Sequence, residues 1–250
     1  MDLTNYRNSA SEKSRINDLM ILLPKNGVAV LDIGARDGFI SKLLVNYFLK
    51  VTALDLELPS IEHESIQCVK GDITALSFSD NSFDLVFCAE VLEHIPTHLL
   101  ETACQELARV SNTYVLIGVP YKQDIRVGRT TCGTCGKISP PWGHVNSFDE
   151  ATLSKLFPTF SVLKKTFVGE SASKTNPVSS ALMDLAGNPY GTYSQEEPCT
   201  HCGAKLNSPP ERAFWQKILT KTAFFGLRIQ KPFIKAHPNW IHVLLKKRAE

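Results

Sequence analysis

Two groups of residues in this chain have types and spacings that could do chemistry. The first is a series of glycines and acids in the N-terminal half. It comprises Asp32, Gly34 and Gly38 in the stretch Val30-Leu-Asp-Ile-Gly-Ala-Arg-Asp-Gly38, then Asp55, Asp72 and the run Glu90-Val-Leu-Glu-His94. The second is four cysteines in two Cys-x-x-Cys pairs, Cys132 with Cys135 and Cys199 with Cys202. A glycine turn between an apolar strand and a helix lets the backbone approach a ligand and offers the free N–H groups of the helix start. Asp55 follows Gly38 by 17 residues, near the end of the next apolar run. From there its two oxygens can accept both hydroxyls of a ribose whose nucleoside lies on the turn. The stretch is not a G-x-G-x-x-G fingerprint, because Arg36 replaces the middle glycine and the next glycine comes one residue sooner. By themselves these residues also fit an ordinary strand-to-helix turn and a solvated acid at a strand end.

The elements that would position them alternate. Ile16, Leu19, Met20 and Leu23 have helical spacing and predict a helix over 12–23. Residues 28–33 predict a strand and 39–49 a helix with Ile40, Leu43, Leu44 and Tyr47 on one face. Further strands are expected at 50–56, 66–70, 85–88, 114–119, 160–168 and 240–246, and helices at 97–110, 148–157 and 211–230. This alternation predicts an α/β fold: a Rossmann-like, seven-stranded, mostly parallel sheet with helices on both faces. The turn after the first strand then falls at the carboxyl edge, where such sheets bind ligands.

Four segments occur in order and at consistent separations: Leu31 to Gly38, Asp55, Gly71-Asp-Ile73, and Phe83-Asp-Leu-Val-Phe-Cys-Ala-Glu-Val-Leu-Glu-His-Ile95. Together they resemble the class I S-adenosylmethionine-dependent methyltransferases, most closely the small-molecule "methyltransferase type 11" group. The resemblance covers about residues 12 to 169 and the last strand. It implies that Gly34, Ala35 and Gly38 pass under the methionine end of the cofactor and that Asp32 orients the turn. It implies Asp55 and Leu56 at the ribose, Asp72 and Ile73 at the adenine, and Glu90 near the sulfonium end. Methyl transfer asks mainly for alignment and exclusion of water, and for a base only when the acceptor loses a proton. His94, leaving the fourth strand, is the first candidate base; Tyr121 and His144 are further candidates at the rim. Trp142, His144 and Asn146 precede a helix in the way that acceptor-pocket residues do in related enzymes.

The cysteine pairs fall in two stretches outside this core. The expected organisation is a cofactor-binding core over 1–119, an insertion with the first pair over 120–147, and a core helix and strand over 148–169. A second insertion with the other pair and a basic, aromatic helix follows over 170–238, and the last strand over 239–250. Both pairs have the form C-x-x-C-G, as in zinc knuckles, so one structural zinc held by Cys132, Cys135, Cys199 and Cys202 is expected. Closing it would contribute on the order of 10 kcal/mol to ordering these loops. The same cysteines also fit a redox pair, a disulfide, or two separate sites completed by His144 or His201. Redox is disfavoured because neither pair opens a helix in a thioredoxin-like setting.

Composition sets the remaining expectations. A net charge of +2 over 250 residues does not point to nucleic acid. The polar stretch from Met1 to Met20 has no signal-peptide apolar region, so a cytoplasmic protein with reduced thiols is expected. Cys68, Cys88 and Cys104 are isolated in apolar contexts and are expected in the core. The acceptor implied is a small molecule or a sugar of a glycan. The readings that compete are a non-catalytic cofactor-binding scaffold with a zinc assembly module, and a nucleic-acid methyltransferase. Residues 205–250 hold ten Lys and Arg against two Glu, with Phe214, Trp215, Phe224, Phe225, Phe233 and Trp240 among them. The favoured expectation is that these aromatics pack on the sheet. The alternative is a peripheral contact with anionic lipid, or with a lipid-linked or phosphorylated acceptor.

Overall fold

The computed structural model describes residues 7–248. The first six residues of the N-terminal stretch read above lie outside that range. The chain folds as two compact units.

The first unit comprises Met1–Tyr121, Phe148–Gly169 and Pro238–Glu250. Its core is a seven-stranded sheet. The strands are β1 (Ala29–Ile33), β2 (Lys50–Asp55), β3 (Ile66–Lys70), β4 (Phe83–Ala89), β5 (Ser111–Pro120), β8 (Phe160–Val168) and β9 (Trp240–Lys247), β6 and β7 being a small hairpin of the second unit. The spatial order is β3-β2-β1-β4-β5-β9-β8. The first five run parallel, and β9 lies antiparallel between β5 and β8. Near-continuous apolar runs form the central strands because a parallel sheet buries both faces. Leu31, Val86 and Ile117 belong to one apolar layer and Val30, Leu85 and Leu116 to the other. The order reverses direction at β1, between β2 and β4, so the edge beyond β1 and β4 is the switch point where ligands bind in such sheets.

The helices of this unit are α1 (Ala10–Leu22), α2 (Phe39–Leu44), α3 (Leu100–Val110) and α4 (Glu150–Leu156). Ser9 caps α1 through the Glu12 amide, and Asp149 caps α4 through the Thr152 amide. The expected 39–49 helix stops at Leu44. There the Asn46 side chain donates to the Leu43 carbonyl, and the Tyr47 and Phe48 amides both turn back to Leu44. Tyr47, expected on the apolar helical face with Leu44, is exposed, and Phe48 is buried instead. Cys88 and Cys104 are fully buried and Cys68 half-buried.

The second unit comprises Lys122–Ser147 and Glu170–His237. It holds a hairpin of β6 (Thr130–Thr131) and β7 (Ile138–Ser139), and two helices, α5 (Pro177–Leu185) and α6 (Phe214–Gln230). The apolar periodicity did not mark α5. Its start carries a readable signal all the same: Asn176 accepts the Ser179 amide at 2.8 Å, and Pro177 occupies the first turn.

Candidate functional site

The turn after β1 alternates left-handed residues: Gly34 at φ 74°, Arg36 at 47° and Gly38 at 76°. The amides of Gly34 and Ala35 both donate to the Leu54 carbonyl, at 2.9 and 3.1 Å. The Arg36 amide donates to Asp55 Oδ2 at 2.8 Å, and Asp55 Oδ1 accepts the Leu56 amide at 2.7 Å. The end of β2 therefore holds the turn of β1. A Cβ built on Gly34 would lie 2.5 Å from Val91 Cγ2, and one on Gly38 2.3 Å from Ile61 Cδ1. Conformation and space both demand glycine at these positions. Arg36 has no such freedom, and its bond to Asp55 offsets a backbone cost of roughly 1–2 kcal/mol.

Asp32 sits beneath the turn and is buried. Ser41 Oγ donates to its Oδ2 at 2.6 Å. Burial pushes the Asp32 carboxyl up to about 7; the Ser41 hydrogen bond opposes this rise and the Asp55 charge adds to it. Asp72 follows β3. Its Oδ1 accepts the Thr74 amide at 2.8 Å and the Thr74 hydroxyl at 2.7 Å, and these bonds hold it below the usual carboxylate range. Ile73 is buried beside it.

Beyond β4 the chain enters another left-handed residue, Glu90 at φ 58°, whose amide donates to the Gly118 carbonyl at 2.9 Å. Trp240 Nε1 donates to Glu90 Oε2 at 3.2 Å, and Arg15 Nη1 lies 3.8 Å from Oε1. Burial raises the Glu90 carboxyl, against the pull of Arg15 and Trp240. Arg15 is held by Glu12 through two bonds of 2.7 and 2.6 Å. Glu93 is completely buried, and neither of its oxygens has a hydrogen-bond partner among the described residues. Burial first, and then the Glu90 charge, push the Glu93 carboxyl well above the usual carboxylate range. His94 is exposed just past this edge. Tyr121 is buried at the end of the parallel sheet, and its hydroxyl donates to Glu150 Oε2 at 2.9 Å.

Within the first unit, the structure thus gathers Asp32, Gly34, Ala35, Gly38, Asp55 and Leu56 around one turn. Val91, two residues short of Glu93, touches that turn directly. Sequence reading missed Glu12, Arg15, Ser41 and Trp240. Glu12 and Arg15 did carry a signal: with Leu19 and Leu22 they make up the buried stripe of α1, where charged residues are out of place.

In the second unit the four paired cysteines converge. Cys132 Sγ lies 3.7 Å from Cys202 Sγ, and Cys135 Sγ 3.7 Å from Cys199 Sγ. All four sulfurs are within 4.8 Å of one another. A disulfide needs roughly 2.05 Å. Four thiolates set tetrahedrally at roughly 2.3 Å from zinc stand about 3.8 Å apart. The two loops repeat one another: Gly136 N donates to Cys132 O and Gly203 N to Cys199 O, each at 2.9 Å, with both glycines at φ 70°. Amides of Cys135 and Thr134 hold the Cys132 thiol below its usual range. The fit to a four-thiolate metal is good, and His201 turns instead to the Ile138 carbonyl at 3.1 Å. In this unit too, His144 is buried with Nδ1 2.7 Å from Gln123 Oε1, beside Trp142 and the buried Asn146.

Comparison with known proteins agrees with this architecture. A family model described as a methyltransferase domain matches residues 31–113. The chain is 35% identical over 101 residues to a ubiquinone biosynthesis O-methyltransferase of Xanthomonas campestris pv. campestris (strain B100), covering 36% of this chain and 42% of that one. It is 31% identical over 75 residues to a malonyl-[acyl-carrier protein] O-methyltransferase of Coxiella burnetii, covering 29% and 27%. The chain thus spans less than half the length of these curated relatives. Among solved structures, the N-methyltransferase NodS of Bradyrhizobium japonicum WM9 superimposes with a TM-score of 0.55 at 13% identity, over 97% of this chain and 99% of that one. The 1,6-didemethyltoxoflavin-N1-methyltransferase of Burkholderia thailandensis gives 0.55 at 14% identity, over 98% and 81%. The shared feature is the fold.

Proposed function

We propose that the chain is an S-adenosylmethionine-dependent methyltransferase acting on a small molecule, and that its second unit is tied by a structural zinc. The observation that carries the first part is the pinning of the Gly34 turn by Asp55 at the β1–β4 switch point. In this reading Gly34, Ala35 and Gly38 give the cofactor a close backbone floor, above Asp32. The lone pairs of Asp55 not used by Arg36 and Leu56 take the ribose hydroxyls, beside Leu56. Asp72 keeps Oδ2 for the adenine amino group, with Ile73 against the ring. Glu90 offers negative charge to the cationic end.

When bound, S-adenosylmethionine supplies an already activated methyl group, so the protein's task is alignment. His94, exposed past β4, is the base for an acceptor that loses a proton. Tyr121 acts through its Glu150 bond as a positioning group. His144 is assigned to the acceptor's surroundings on sequence order alone. Cys132, Cys135, Cys199 and Cys202 take zinc in a closed, structural site.

Calorimetric titration with S-adenosylhomocysteine tests the cofactor site, and absence of binding at about millimolar ligand, far above the affinity of a built site, overturns the reading. Transfer of a labelled methyl group to a panel of phenols, amines and sugars then separates an enzyme from a scaffold. Metal analysis tests the zinc: one ion per chain is expected, and Cys199→Ser should lose it. Undiminished zinc in that variant would refute a shared site.

A further inference from the structure

Of the aromatics in the basic C-terminal region, Trp240 lies in β9, while Phe214, Trp215, Phe224, Phe225 and Phe233 are exposed. At about 3.6 residues per turn, positions 214, 218, 225 and 229 of α6 share one face. They are Phe214, Ile218, Phe225 and Ile229, and they are 79%, 48%, 65% and 56% exposed. Trp215 extends this face and Phe233 continues it just past the helix end; both are exposed. The opposite side of α6 is the inner one. There Thr220 and Ala223 are buried, the Ala223 carbonyl accepts Ser179 Oγ of α5 at 3.0 Å, and a Cβ on Gly226 would lie 2.8 Å from that same hydroxyl. Small residues thus seat one side of α6 closely on α5 and leave its most apolar side facing out. Large contiguous apolar surface of this kind marks an interaction site.

Charge selects the occupant. Lys217, Lys221 and Arg228 form the stripe next to the apolar face, Lys231 and Lys235 follow it, and all five are exposed. From Arg212 to Arg248 the chain has no acidic residue. A second copy seated on this face would set like-charged stripes against each other. An anionic bilayer accepts both components, with aromatics at the headgroup–acyl boundary and cations among the headgroups. No helix among the described residues is long and apolar enough to cross a membrane, which leaves α6 lying along the surface. We propose that the outward face of α6 docks the protein on an anionic lipid surface. This does not rest on the methyl-transfer reading.

The test is co-sedimentation of the full, zinc-loaded chain with vesicles of phosphatidylcholine, alone or with about one third phosphatidylglycerol. Binding is expected to the anionic vesicles, with a blue shift of tryptophan emission that Trp215→Ser removes. Phe225→Ser with Ile229→Ser should weaken binding at least about tenfold, since each buried side chain contributes on this scale. Lys221→Ala should weaken it about fivefold, and salt should weaken it further. These side chains are exposed, so circular dichroism and zinc content should be unchanged. Three outcomes overturn the proposal: no binding to either vesicle, binding indifferent to the Phe225 and Ile229 changes, or self-association that those changes abolish.

Discussion

The carboxylate of Asp55 closes the turn of the neighbouring strand by accepting the backbone amide of Arg36 at 2.8 Å. An acid at the end of β2 thereby shapes the loop after β1, and in the proposed reading it also presents acceptors to the cofactor's ribose. Asp55→Ala removes both at once. Two hydrogen bonds to a charged group correspond to about 3 kcal/mol or more, so S-adenosylhomocysteine affinity should fall at least about a hundredfold. Asp55→Asn keeps one acceptor oxygen and should fall between the two. Equal dissociation constants for wild type and Asp55→Ala would remove Asp55 from the site.

Arg15 links two acids, with Glu12 on its own helix and Glu90 beyond β4. Arg15 and Glu12 are nearly inaccessible to solvent. Removing the cation from a buried pair leaves an uncompensated charge, so Arg15→Met should cost about 3–5 kcal/mol in urea unfolding. Changing both, Glu12→Gln with Arg15→Met, should recover most of that loss, because the pair's net contribution is small. A double variant as unstable as the single would show that Arg15 acts through packing of its stem instead.

Most of the sheet was legible because parallel strands buried on both faces read as apolar runs bounded by glycine, proline and acids. All seven strands fall where they are expected, although β8 is antiparallel and exposed along most of its length. The site was legible where glycine and aspartate are demanded by backbone geometry, as at Gly34 and Asp55. It was illegible where side chains far apart in sequence meet. Trp240 reaches Glu90 across 150 positions, and no local pattern marks that contact. The helix after Gly38 is shorter than apolar spacing predicts, because Tyr47 and Phe48 are both apolar while their amides turn back to the Leu44 carbonyl and end it. Residue type alone favours packing of the α6 aromatics on the sheet and leaves a lipid contact as the alternative. Their outward placement depends on which side of the helix is small enough to seat against α5.

Asp32 gives stability a defined pH dependence. Its carboxyl titrates at about 7 in the folded chain against an ordinary 3.8. Between those values the native state holds a proton that the unfolded chain has lost. Stability from this group is therefore complete below about pH 4, declines as pH rises toward 7, and is level above it. Full linkage would amount to about 4 kcal/mol. Glu93, also raised, adds a slope of the same sign. Asp32→Asn should flatten the profile between pH 4 and 7, and the difference between the two urea-unfolding curves isolates the Asp32 share. Parallel curves would mean that Asp32 is ionised in the folded state.

Gly34 faces two separable constraints, a φ of 74° and the Val91 methyl 2.5 Å from any Cβ. Gly34→Ala should destabilise the chain by more than 2 kcal/mol, combining about 1–2 kcal/mol of left-handed backbone cost with a contact that must shift Val91. Shifting Val91 moves the β4 edge that carries Glu90, so cofactor affinity should fall with stability. Val91→Ala opens the space without touching φ. In Gly34→Ala with Val91→Ala, the steric part should disappear while about 1 kcal/mol of backbone cost remains. Urea unfolding reads the stability, and titration with S-adenosylhomocysteine reads the site. A double variant no better than Gly34→Ala alone would assign the whole glycine requirement to the backbone. Full recovery of stability would assign it to the contact with Val91.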